Sequence, residues 1–222
     1  MRRFRIKTTL SAIFIAIGAM VALFSAYSLD RLNAVNGTVA EIVNVRMPAL
    51  EKAKNIEVRL GDIRTAYRNH ILLRDKDDKL AATRLIDASV RLFDENSAAF
   101  DSLSSNDQEH ALLSKIQVDF SEYIHKGKEV LALSEQGRED EAAAMLRVVM
   151  MKRAEALRNN ASELAELTKK SSREAYLSAE HSFSITFALA VGSVAVLLAT
   201  IIGAIWFVVA SVAKPVEKIT SA

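Results

Sequence analysis

The sequence predicts an all-α protein: an antiparallel, up-down four-helix bundle set between two transmembrane helices. Three observations carry this expectation. Turn formers are scarce, with 7 Gly and 2 Pro in 222 residues, which favours long helices. Two long runs, residues 10–29 and 182–213, are apolar and hold no charged residue. Between them apolar residues recur in steps of three and four, broken at three polar clusters.

The first apolar run, "LSAIFIAIGAMVALFSAYSL", has the roughly 20 residues that span a hydrocarbon layer at about 1.5 Å each. Its basic leader "MRRFRIK" also suits a signal peptide, with Ala26 and Ser28 before a cleavage point at Leu29. The run is longer than a typical signal-peptide core, which favours an uncleaved membrane helix. The second run exceeds the spanning length and carries Trp206 near its end, where an interfacial aromatic belongs. Arg2, Arg3, Arg5 and Lys7 precede the first span, and Lys214 and Lys218 follow the second. Basic flanks stay in the cytoplasm, so residues 30–181 are expected outside, in the periplasm if the cell is bacterial and the membrane its inner one.

Within 30–181 the polar clusters "LRDKDDK", "SLSSNDQ" and "LSEQGRED" mark turns, with Gly137 suited to a helix C-cap. Helices are therefore expected near 30–74, 77–103, 107–136 and 139–182. The first has an inward stripe running from Leu32, Val35 and Val39 through Arg46, Ala49, Ile56, Leu60 and Ile63 to Tyr67 and His70. The second offers Thr83, Ile86, Val90, Phe93, Ser97, Phe100 and Leu103. The third offers Leu113, Ile116, Phe120, Tyr123, Gly127 and Val130, and the fourth a looser Leu146, Met150, Leu157, Ala161, Leu164 and Thr168. This is the seam of a bundle with left-handed crossings. The outer helices would reach about 65 Å and the inner two about 40–45 Å. The long pair is the pair fused to the membrane spans.

Several chemistries find no support. No cysteine is present, and the four histidines are scattered. Glu122 with His125 forms a Glu-x-x-His pair of the kind carboxylate-bridged metal bundles use on two different helices. The nearest second pair, Asp107 with His110, lies about 22 Å away on the same helix, so solvated helix faces are the stronger reading. There is no phosphate-binding glycine loop, nucleophilic triad or haem attachment motif. The chain is expected to be no enzyme and to hold no metal or cofactor, and a formal charge of +2 nominates no nucleic acid.

One stretch stands out. "VRLGDIRTAYRNH", residues 58–70, places Arg59, Arg64 and Arg68 on one helix. The i±3 and i±4 neighbours of Arg64 are Leu60, Gly61, Tyr67 and Arg68; those of Arg68 are Arg64, Thr65, Ile71 and Leu72. None is acidic, and like charges four apart repel by a few tenths of a kcal/mol. Guanidinium groups bind carboxylates bidentately, so a small organic anion would relieve that repulsion; pairing with another helix or plain solvation is the bland alternative. Thr65, Tyr67 and His70 are candidate further contacts. Tyr67 and His70 fall on the core stripe, where packing is the stronger reading. Arg46, low on the same stripe, is expected to snorkel or to meet an acid across a dimer.

Two segments resemble a known family. "NVRMPALEKAKNIEVRLGDIRTAYRNHILLRD" resembles the opening of the four-helix-bundle sensor domain of methyl-accepting chemotaxis proteins, with Pro48, Leu50, Ile63, Arg64, Leu72 and Leu73 at its pattern positions. "EQGREDEAAAML" resembles the acidic, alanine-rich start of that domain's fourth helix. "VAKPVEKIT" resembles the first residues of a HAMP linker, with Pro215 followed by Val216 and Ile219. The resemblance implies a cytoplasmic N-terminus (1–9), a first span (10–29), a periplasmic sensor domain (30–181), a second span (182–213) and the start of a HAMP linker (214–222). It implies a homodimeric receptor for a small carboxylate that reaches cytoplasmic signalling proteins through a region beyond Ala222. In aspartate-type relatives, arginines spaced five and then four apart on the first helix clamp a dicarboxylate from both subunits; Arg59, Arg64 and Arg68 are similarly spaced. A sensor half of a histidine kinase or cyclic-dinucleotide enzyme remains open, as does a ligand-free membrane-anchored structural module.

Overall fold

The computed structural model describes residues 2–208, and among them every regular element is helical. The HAMP-like residues 214–222 and the end of the second apolar run lie outside the described residues. The chain divides into a bundle unit, residues 40–176, and a second unit holding residues 1–39 and 177–222.

The first long helix is built from α1 (Arg2–Glu41), a π-helical turn (Ile42–Arg46) and α2 (Met47–Leu72). The π turn has a local cause. Pro48 has no N–H to give the carbonyl four residues back, and its ring crowds that carbonyl. The backbone widens instead, and the Met47 N–H bonds to the Ile42 carbonyl five residues away. The wider turn also brings Glu41 under Arg46, whose Nη2 and Nε donate to Glu41 Oε1 at 2.9 and 3.1 Å. Arg46 thus has an acid partner on its own helix.

Helices α3 (Lys76–Leu103) and α4 (Asp107–Glu135) follow after short turns. Asp75 caps α3 by accepting from the amides of Asp77 and Asp78 at 2.8 and 3.3 Å. Asn106 caps α4 by accepting from the Gln108 amide at 2.9 Å. At the other end of α4, Gly137 takes φ +73°, the left-handed conformation that costs glycine little. Its N–H donates to the Ser134 carbonyl at 3.2 Å, while the Arg138 N–H donates to the Leu133 carbonyl at 3.0 Å. Together these bonds make a Schellman cap. The last limb is α5 (Glu139–Met145), a second π turn (Leu146–Met150) and α6 (Met151–Val208).

The bundle core follows the anticipated stripes, with two shifts. On α3 the fully buried positions are Ala82, Ile86, Ser89, Phe93, Ser97 and Phe100, while Thr83 and Val90 are half-buried. On the first helix burial begins at Ala49, and Leu32 and Val39 are exposed. The reason is length: at 28 and 29 residues, α3 and α4 span about 42–44 Å, roughly the reach of α2 alone. Tyr67 and Tyr123 meet edge-on with centroids 5.8 Å apart, and Phe93 stacks on Phe120 at 3.6 Å. Gly127 admits this packing, since a Cβ there would lie 1.9 Å from the Tyr67 hydroxyl oxygen and 2.1 Å from Cζ.

At the α2–α3 end, His70 is buried, with Nδ1 3.1 Å from Ser134 Oγ. Lys79 Nζ donates to the same Oγ at 3.1 Å and pairs with Glu139 at 3.3 Å. The second unit contributes two helical segments long and apolar enough to cross a membrane. Apolar side chains such as Ile15, Leu23, Ile202 and Trp206 are exposed there, as lipid-facing groups are.

Two outcomes follow. Gly127→Ala should destabilise the bundle by about 1–3 kcal/mol through overpacking, despite regaining up to about 1 kcal/mol of helix propensity. Melts of the full chain followed by the near-ultraviolet tyrosine signal should show Tm falling about 2–4 °C per kcal/mol; an unchanged Tm would show that Tyr67 yields freely. The second outcome concerns pH. Burial, then Lys79, lowers the His70 pKa from 6.5, so the unfolded chain takes the proton first. The stability that neutral His70 contributes is present above pH 6.5 and lost as pH falls below it. The hydrogen bond to Asp101, chiefly, raises the pKa of His110, with the opposite sign, but that term is common to wild type and His70→Asn. Denaturant midpoints between pH 7 and pH 5 should therefore fall more steeply for wild type than for His70→Asn, and parallel curves would contradict this.

Candidate functional site: a groove between the first and fourth helices

The site begins with the rotation of α2. Ile56, Leu60, Ile63, Ala66, Tyr67 and His70 are buried, and at 3.6 residues per turn this leaves Gly61, Arg64, Thr65 and Arg68 at the exposed edge. Facing them, Met150 and Leu157 anchor the fourth limb in the core, which turns Arg147, Met151 and Ala154 toward the same space. The result is an open cavity of about 670 Å³, within the range of small-molecule sites. A smaller cavity of about 90 Å³ adjoins it, sharing Gly61, Arg64, Tyr123 and Ala154 and adding Glu57 and Arg158.

Three guanidinium groups line the large cavity: Arg64, Arg68 and Arg147. No acidic residue lines it, and among the described residues none of the three forms a salt bridge. Most of the remaining wall is apolar, chiefly Ile71, Leu72, Leu146, Met150 and Met151, with Thr65 adding a hydroxyl. Tyr123 reaches the cavity from α4. Its hydroxyl is buried without a hydrogen-bond partner. Burial pushes its pKa up to about 12, with the Arg64 charge pulling the other way, so the group is a neutral donor at physiological pH. Small residues keep the space open; a Cβ on Gly61 would meet nothing within 4 Å. The cavity can hold an anion by charge-assisted hydrogen bonds, and its donors include no nucleophile–base pair.

Of the six residues nominated from sequence, the structure brings Arg64, Thr65 and Arg68 together here. Arg59 lies outside the lining and pairs with Asp62 at 2.9 Å, one turn along its own helix. Tyr67 and His70 are packed in the core, also outside the lining. Glu122 of the Glu-x-x-His pair bonds Arg153, and His125 faces Glu129 at 3.9 Å. His110 lies 2.8 Å from Asp101. Arg147 and Tyr123 were not nominated. Tyr123 reads as a core position, and Arg147 sits in the π turn, where a regular helical count misplaces it by about one residue.

The site is thus a cationic, largely apolar-walled groove in a four-helix bundle. Residues 3–183 match the family model described as a four helix bundle sensory module for signal transduction, and the chain belongs to that family of chemoreceptor-type sensory modules. No curated protein and no solved structure matches the chain.

Proposed function

We propose that the bundle binds a small organic anion, a carboxylate, in the groove between the first and fourth helices, and that binding is signalled through the membrane to a HAMP linker. The observation that carries this reading is the convergence of Arg64, Arg68 and Arg147 on one cavity that no acid lines. Mutual repulsion of the three charges is relieved when an anion arrives, and each guanidinium offers a planar fork matched to a carboxylate. The anion would draw together α2 and the α5–α6 limb, the two elements whose helices run on as α1 and α6 into the apolar segments. Movements of about 1–2 Å at helix interfaces are enough for such signalling, provided the anion binds the two arrangements unequally. The basic leader ahead of the first span supports a periplasmic bundle. The exposed Val43, Met47 and Val58 of the first helix support packing against a second copy in a homodimer.

The test is calorimetry on the full chain in nanodiscs with acetate, benzoate, succinate and citrate. One charge-assisted contact contributes about 1.5–3 kcal/mol, so Arg64→Ala and Arg147→Ala should each weaken the tightest acid roughly 10- to 100-fold. Lysine at either position should recover only part of that. Arg59→Ala, whose partner is Asp62, should change affinity less than about twofold. If Arg64→Ala, Arg68→Ala and Arg147→Ala all bind as tightly as the parent, the groove is not the anion site.

A further inference from the structure

The chemistry of the groove narrows its occupant. A compact polyanion needs hydrogen-bond donors on all sides, as each carboxylate left without one loses its hydration uncompensated. This groove concentrates its cations on Arg64, Arg68 and Arg147, adds hydroxyls only from Thr65 and Tyr123, and gives most of the rest of its wall to Ile71, Leu72, Leu146, Met150 and Met151. Met151 and Leu72 are more than half exposed, so apolar surface at this site faces water until something covers it. At about 670 Å³ the cavity is large for a four-carbon acid and falls within the range, about 300–1,000 Å³, that takes larger ligands. Methionine side chains mould to irregular apolar bodies and make favourable sulfur–aromatic contacts.

Tyr123 adds an independent observation. The residue is 1 % exposed and its hydroxyl has no acceptor, an arrangement that costs free energy in the empty protein. Arg64 and Tyr123 line both the large cavity and the smaller one beside it. A carboxylate drawn to Arg64 therefore arrives beside a donor that has nothing else to bond.

We infer that the groove takes an amphiphilic monocarboxylate: its carboxylate lies among Arg64, Arg68 and Arg147 and accepts from the Tyr123 hydroxyl, and its aromatic or branched aliphatic body covers Leu146, Met150 and Met151. This rests on reading the groove as an anion site, and it adds the class of anion.

The experiment compares indole-3-acetate, 4-methylpentanoate, succinate and citrate by calorimetry against the full chain in nanodiscs, with empty nanodiscs as the blank. The two monocarboxylates should bind at least tenfold tighter than succinate or citrate. Met151→Gln, at an exposed position that leaves the core untouched, should narrow that ratio at least fivefold. Tyr123→Phe should weaken indole-3-acetate about three- to tenfold while leaving Tm equal or higher, because the variant removes an unpaired buried hydroxyl. A merely structural role for Tyr123 would instead lower Tm with affinity unchanged, and that result would overturn the hydroxyl contact. Tighter binding of succinate or citrate, lost in Arg64→Ala, overturns the amphiphile and leaves the anion site standing. Absence of binding by all four acids at millimolar concentration overturns both. So does indole-3-acetate binding that neither Arg64→Ala nor Met151→Gln alters.

Discussion

The rotational setting of α2 about its own axis is the constraint on which the rest of the bundle depends. Ile56, Leu60, Ile63, Tyr67 and His70 form one buried line, and no other rotation of the helix buries them together. Tyr67 fixes the setting most tightly, because its ring fills the place a side chain at Gly127 would need and meets Tyr123 edge-on. Once that line is inside, Arg64 and Arg68 have nowhere to point but the edge facing the fourth limb. Their uncompensated charge is a consequence of core packing. It costs little because both groups are exposed to water.

Much of this was legible in the sequence. Three- and four-residue spacing gave the helices, Asp75 and Asn106 start α3 and α4, and Gly137 closes α4 with the only positive φ among the described residues. Arg64 and Arg68 could be found because the absence of acids at i±3 and i±4 is itself a local pattern, and Thr65 lies beside Arg64. Arg59 has a local signal of the opposite kind, since Asp62 three residues on takes up its charge. Other features had no local signal. The π turns at 42–46 and 146–150 add a residue per turn, so strict 3.6-residue counting carries neither the Arg46–Glu41 pair nor the place of Arg147 in the groove. Tyr123 sits on an ordinary core stripe, and its unpaired hydroxyl becomes apparent only when three other helices surround it. The far wall of the groove comes from residues about 80 positions away in the chain, a distance over which spacing carries no information.

The groove lies between the two longest helical limbs: α2, which follows α1 through the first π turn, and α5–α6, which holds the second. An occupant bridging the two walls would touch both limbs. The second π turn lies in that wall. Its i→i+5 bond, from the Met151 N–H to the Leu146 carbonyl, is a weak point where a helix adjusts its rotation without breaking.

One anion bridging both walls would leave a mark on amide hydrogen exchange in each of them. The full chain in nanodiscs would be compared with and without a saturating concentration of whichever binds tightest among indole-3-acetate, succinate and citrate. Bridging predicts slowed exchange in two separate stretches, residues 61–72 of α2 and residues 143–154 across the second π turn, by tenfold or more, with α3 unchanged. Protection confined to the first helix, or spread evenly over the bundle, would contradict a site built from both walls.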